Sequence, residues 1–125
     1  MSMNIATGST GITGTITATV AFPNWPSGYT LKYARANGTG GYTTLFTTTA
    51  GKTAYVLAIT AVGTANSQVI IANDASTPIF DLGFPANGGQ NINGGGQPLA
   101  IVASNTTLKF NAVATSTVSA IYIEA

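Results

Sequence analysis

Few side chains in this sequence can do acid–base or covalent chemistry. There is no histidine and no cysteine; the carboxylates are Asp74, Asp81 and Glu124, and the cations are Lys32, Arg35, Lys52 and Lys109. Without histidine, neither a Ser-His-acid triad nor an imidazole-bound metal can form. Without cysteine there is no thiolate ligand, thiol nucleophile or disulfide. Asp74 and Asp81 could approach each other across a hairpin, but glycoside hydrolysis needs two carboxyls placed around a sugar cleft. Aspartates in such loops ordinarily serve as turn residues and solvated charges. A serine activated by Lys32, Lys52 or Lys109 is the remaining covalent option. Asp74 with neighbouring carbonyls could begin a calcium site, but that ion wants several oxygen ligands, and an Asn73-Asp74 hairpin turn accounts for the same residues. Gly51-Lys52-Thr53 matches the tail of a phosphate-binding loop. Position 46 is Phe46 where the spacing needs glycine, and no helix follows, so the cradle fails. The expectation is a protein without catalytic residues, cofactor or metal.

Function must then lie in surfaces, and composition describes them. Hydrophobic residues make up 45% of the chain and charged residues only 6%, against roughly 25% charged in ordinary soluble domains. A core can form, and solubility falls to Thr, Ser, Asn, Gln and glycine backbone. The net charge of +1 comes from scattered side chains, which make neither a stripe for nucleic-acid phosphates nor a polybasic patch for anionic lipid. At 125 residues one domain is expected. Met1-Ser2-Met3-Asn4-Ile5 lacks the basic and apolar regions of a signal peptide, and no run of about 20 apolar residues could span a membrane as a helix. The expectation is synthesis in the cytosol without cleavage, for a protein whose surface resembles that of proteins working outside cells.

Threonine, valine, isoleucine and aromatic residues dominate, and glycine and asparagine recur at short intervals, the signature of a sandwich or barrel. The clearest strand spans 12–22: Ile12, Ile16, Ala18, Val20 and Phe22 take even positions and Thr13, Thr15, Thr17 and Thr19 odd ones, so period two turns the first set inward. Residues 1–11 read as a flexible Gly/Ser/Thr-rich arm, and 12–125 as the sandwich domain. Pro23-Asn24-Trp25-Pro26 is a loop because prolines remove ladder donors. Further strands are expected at 29–34, with Tyr29, Leu31 and Tyr33 on one face, and at 42–48, 53–61, 68–72 and 78–82. Others follow at 99–102, 107–112 and 117–124, with a short one at 90–93 inside the mainly loop-like 85–97. An all-β antiparallel sandwich of about eight to ten strands follows, as a jelly roll or another Greek-key arrangement.

From about Leu45 onward the order of features resembles small jelly-roll proteins of tailed-bacteriophage particles. The matching pieces are Ala50-Gly51-Lys52-Thr53, Thr77-Pro78-Ile79-Phe80, Phe84-Pro85-Ala86-Asn87-Gly88-Gly89, Gln97-Pro98-Leu99 and Val118-Ser119-Ala120-Ile121-Tyr122-Ile123. The resemblance implies a virion structural protein made in the host cytoplasm and carried on the particle exterior. A head-decoration (cement) protein binding the major capsid protein or other virion proteins is its leading form, as a homo-oligomer and most simply a trimer. The alternatives are a receptor-binding or fibre-tip domain that holds host glycans, or a secreted carbohydrate-binding module. Partner contacts are expected at Ile5 and Ile12, which give the arm two apolar grips, and in the loops carrying Trp25 and Asn87. Trp25 is either an anchor or a side chain folded over the end of the sandwich.

The alternation over 12–22 is directly testable. Val20→Asp should prevent folding or cost several kcal/mol, because it puts an unpaired charge inside. Thr17→Asp should change stability by no more than roughly 0.5 kcal/mol. Equal effects in denaturant titrations would put the register out by one residue.

Overall fold

Alternating apolar and polar side chains, with Gly, Asn and Pro between them, produce nine strands among residues 28–125, which a computed structural model describes. They are β1 Thr30–Gly38, β2 Tyr42–Thr47, β3 Ala54–Gly63, β4 Ser67–Ala72, β5 Pro78–Phe84, β6 Gly88–Asn93, β7 Ala100–Val102, β8 Thr107–Ala112 and β9 Ser116–Glu124. One sheet has the order β1-β9-β3-β6, with β7 also beside β3; the other has the order β2-β8-β4-β5. All pairs are antiparallel. The strand expected at 12–22 lies outside the described residues.

The pairings are nested. β4 pairs β5, β3 pairs β6 and β7, β2 pairs β8, and β1 pairs β9. The chain is thus one long hairpin, bent at the β4–β5 turn and rolled until β9 meets β3 and β8 meets β4. That is a jelly roll. β6 and β7 lie along successive stretches of β3, 58–63 and 54–56, so they are one strand interrupted by a glycine-rich loop at 94–99. Gly94 begins that loop, where a Cβ would overlap the Gln97 carbonyl. Turns at 39–41, 64–66, 85–87 and 113–115 gather at one end of the sandwich, and those at 48–53, 73–77 and 103–106 at the other.

The core lies between the sheets. Val56, Ile59, Val69, Ile71, Leu82, Leu108, Phe110 and Val118 are essentially inaccessible, each worth about 1.5–3 kcal/mol in burial relative to exposure. Phe46 from one sheet stacks on Tyr122 from the other, with ring centroids 3.9 Å apart and planes inclined by 6°. Burial pushes the Tyr122 hydroxyl above its ordinary range, and the nearby Glu124 charge adds to this. Gly38 runs so close to the core that a Cβ there would lie 2.9 Å from the Phe110 ring. Its lack of a side chain is a packing requirement.

Two features depart from simple alternation. Leu57 is an extra residue in β3: Val56 faces Tyr122 and the next paired residue, Ala58, faces Ile121. This β-bulge reverses the parity of the strand, so Ala54 and Val56 before it and Ile59 and Ala61 after it are all buried. β1 runs on to Gly38, and its Leu31 and Tyr33 face outward, 63% and 62% exposed. The smaller Ala34 and Ala36 pack against the core instead.

Inward and outward positions near β8 differ sharply in expected cost. Phe110→Ala should lose about 3–5 kcal/mol through the cavity it leaves. Val113→Ala, at a position 71% exposed, should stay within about 0.5 kcal/mol. Urea denaturation of the two variants measures both.

Candidate functional site

At the end built by 48–53, 73–77 and 103–106, polar side chains tie the loops to the sheets. Glu124, the last residue of β9, is only 3% exposed and lies 2.8 Å from the Lys32 ammonium of β1. The Thr49 amide donates to its Oε2 at 2.9 Å and the Thr49 hydroxyl to its Oε1 at 2.8 Å. Burial opposes ionisation of Glu124, yet the bonds from Lys32 and Thr49 prevail and hold the carboxyl below its usual range. The bond to Glu124 raises Lys32 correspondingly. Thr48, buried beneath the same turn, donates to the Ala103 and Thr106 carbonyls, and the Gly51 amide donates to Ser104. The Gly51-Lys52-Thr53 segment is therefore a turn tied to its neighbour, as its missing upstream glycine implies.

The 73–77 loop folds back over β8. Asp74 Oδ1 accepts from the Thr107 amide at 3.0 Å and the Thr107 hydroxyl at 2.6 Å, and these two bonds hold its carboxyl below the ordinary range. Lys109 donates to the Asp74 carbonyl at 2.8 Å. Asn73 Oδ1 accepts from the amides of Ala75 and Thr77, an Asx turn of the kind such sequences favour. Beside the loop is a cleft of about 310 Å³ lined by Ile79 and Ile101 together with Asp74, Thr106 and Thr107. An apolar wall with an ionised acceptor can take a small ligand that has hydroxyl groups. Asp81 stands apart on β5, accepting from Gln68 at 2.7 Å, so Asp74 and Asp81 serve separate local networks. Among the described residues no three His, Cys, Asp or Glu side chains converge to hold a metal.

At the opposite end a wide, shallow depression of about 660 Å³ is bordered by Val62, Thr64, Asn87, Gly89 and Thr115. Asn87 is exposed there with φ of 55°, a left-handed conformation that asparagine tolerates better than most residues. Its amide donates to the Thr64 carbonyl, leaving its side chain on the loop surface. Of the four expected contact residues, Asn87 alone is described; Ile5, Ile12 and Trp25 lie outside the described residues.

The surface that residue-by-residue chemistry missed is a sheet face. Leu31, Tyr33, Ile101 and Ile121 are between 42% and 63% exposed and share the outward side of the β1-β9-β3-β7 sheet. A signal existed in the run Ala120-Ile121-Tyr122-Ile123. Apolar residues on both parities mark a strand that has apolar neighbours on both faces.

The Glu124 cluster gives a pH signature. Because the carboxyl titrates lower in the folded chain than in the unfolded one, its contribution is present above the ordinary glutamate range and fades as pH falls through the lowered value. Glu124→Gln should therefore cost about 1–2 kcal/mol near neutrality, a figure reduced by the partial exposure of Lys32. The gap to the parent protein should narrow in thermal denaturation as pH falls below the ordinary carboxylate range. A gap that persists in acid would assign the cost to packing.

The sequence matches no known family of proteins, and no curated protein matches it either.

Proposed function

We propose that the protein is a non-enzymatic structural component of a virus particle, carried on the exterior as a head-decoration protein and docked there as a homo-oligomer, most simply a trimer. The observation that carries this reading is the apolar outward sheet face on a jelly roll whose end loops are tied back by their own hydrogen bonds. A rigid module with one adhesive face suits permanent assembly better than capture of a diffusing ligand. The resemblance of the segment from Leu45 onward to phage jelly-roll proteins supplies the kind of particle. The low charge, 6% of residues, suits neutral contacts between subunits, where buried charges would be costly. Ile5, Ile12, Trp25 and Asn87 are the residues proposed to reach the major capsid protein or another virion protein.

A second reading, binding of host glycans by a fibre tip, rests on the 310 Å³ cleft with Asp74 as hydroxyl acceptor. Its apolar wall is aliphatic, which gives a sugar ring no aromatic platform.

The test is reconstitution. The purified protein, added to heads and tails of the phage encoding it, should sediment with heads and saturate at a fixed ratio. Removing residues 2–11 should leave the melting temperature unchanged and abolish that binding. Sedimentation with tails, or glycan binding lost in Asp74→Ala, would favour the fibre-tip reading. Absence of binding to any particle fraction would sink the decoration reading.

A further inference from the structure

We infer that the chain's own residues 22–27 fold back over the outward face of the β1-β9-β3-β7 sheet and seat Trp25 on Ile123. The starting observation is the burial of Ile123. Strand register puts it in an outward row, where it faces Leu31 on β1 and Tyr55 on β3, and Ile101 on β7 completes the row. It lies outside the core cluster between the sheets, yet it is wholly inaccessible. Flanking side chains shield the sides of a residue that stands up from a pleated face, but its tip stays in water unless something lies over it. Among the described residues no strand lies over this side. The cover is also narrow. Leu31 and Ile101, at the two rims of the row, are each 63% exposed, and Ile121, next along β9 on this face, is 42% exposed. Neighbouring strands lie about 4.8 Å apart, so a cover that spares both rims is no wider than one chain with one large side chain. A second sheet laid on this face would shield the rims as well.

Chain path and residue type name the occupant. Leu31, which faces Ile123, follows Trp25 in the sequence by only six residues. At up to about 3.6 Å per residue that stretch can reach about 20 Å, several times the spacing between strands, so Ile123 is within range. Gly28 has φ of 70°, a left-handed turn that a straight extension of β1 would not contain, so the residues before it leave the line of the strand. Pro23 and Pro26 lack the donors that a ladder needs, which suits a segment crossing a face more than one pairing along an edge. Trp25 is the single aromatic residue of 23–28. Its indole offers roughly 150–250 Å² of largely apolar surface, enough for the tip of one isoleucine and the near edges of Leu31 and Tyr55. The row holds no charged side chain, so no ion is desolvated beneath the ring. An indole lying flat on Ile123 keeps its other face outward. The particle contact proposed above for Trp25 is therefore retained, now from a position ordered before docking. The seat itself goes beyond that reading and does not rest on it, because it forms within one chain.

The experiment uses the full chain, whose one tryptophan makes intrinsic fluorescence a reporter of this seat alone. In the folded, unmodified protein the emission should lie to the blue of the urea-unfolded chain and resist acrylamide quenching, at every protein concentration. Leu31→Ser, at an exposed position, should keep the far-ultraviolet spectrum and move the emission to the red. A thiol reports from the other side of the contact. The protein lacks cysteine, so Ile123→Cys carries a single one. Maleimide should label it slowly in the folded protein, at a rate independent of protein concentration, and about tenfold faster once Trp25→Ala is added. Should Ile123→Cys fail to fold, the two fluorescence readings decide. Solvent-like emission in the folded protein overturns the inference, and so does emission that Leu31→Ser leaves unmoved. Labelling that stays slow in Trp25→Ala also overturns it, as does protection of the thiol that appears only with rising concentration, the mark of a second copy. A seated Trp25 in a protein that ignores particles overturns only the decoration reading.

Discussion

Strand β9 is the element on which the rest depends, because it is paired along both edges and sends one whole face into the core. It hydrogen-bonds β1 on one edge and β3 on the other. Val118, Ala120 and Tyr122 enter the core, Ile121 and Ile123 line the outward face, and Glu124 ends the strand in an ion pair with Lys32. In the nested pairing of the jelly roll this last strand of the chain is the one that closes the roll. Its partners β1 and β3 are far from it in sequence, so closing them costs chain entropy before any contact compensates. The Phe46–Tyr122 stack and the Glu124 cluster sit near the end of β9. They fix the register of a strand that a one-residue slip would turn inside out.

Charge is so scarce that nearly every charged group described has a local task. A buried ion pair is a weak source of net stability, since desolvation offsets the attraction, and its better-supported use is to specify one arrangement. Lys32–Glu124 fits that use: it joins β1, β9 and the 48–53 turn at one point, and only the native register brings the three together. Elsewhere hydroxyls and amides take the role that charges play in other domains. Thr48, Ser67, Asn73 and Ser116 each hold a turn by bonding its backbone or its neighbour. These neutral bonds are short-ranged, so they stabilise the loops without creating a field around the protein.

The strand at 107–112 was legible through alternation and that at 117–124 through its run of strand-forming apolar residues, and their bounds moved by no more than a residue. What alternation could not show was the bulge at Leu57. Tyr55, Leu57 and Ile59 share one parity in the sequence, but an extra residue splits them between two faces, and its position depends on Gly94 and Leu99 bonding the Leu57 and Val56 carbonyls. The stretch 85–97 reads mainly as loop with a short strand at 90–93, because Gly88 and Gly89 have low strand propensity; pairing with β3 extends that strand back to Gly88. The outward direction of Leu31 and Tyr33 was equally hidden, because a half-apolar strand does not announce which face meets the core. Asn87 was legible as a loop residue, though its link to Thr64 was not.

A jelly roll offers partners its loop ends, its open edges and its two outer faces. Here both ends are partly committed, with Glu124, Asp74 and Thr48 bound to their own chain at one and Ser67 and Ser116 joined at the other. Loops fixed in this way bind through shape and make poor adaptable claws. The edges carry β1, β6 with β7, β2 and β5, and of these only β1, with nine residues, offers a visiting strand a long ladder. The outward face of the β1-β9-β3-β7 sheet adds exposed Leu31, Tyr33, Ile101 and Ile121, while Ile123 among them is buried. Sheets packed face to face already form this protein's core about 10 Å thick.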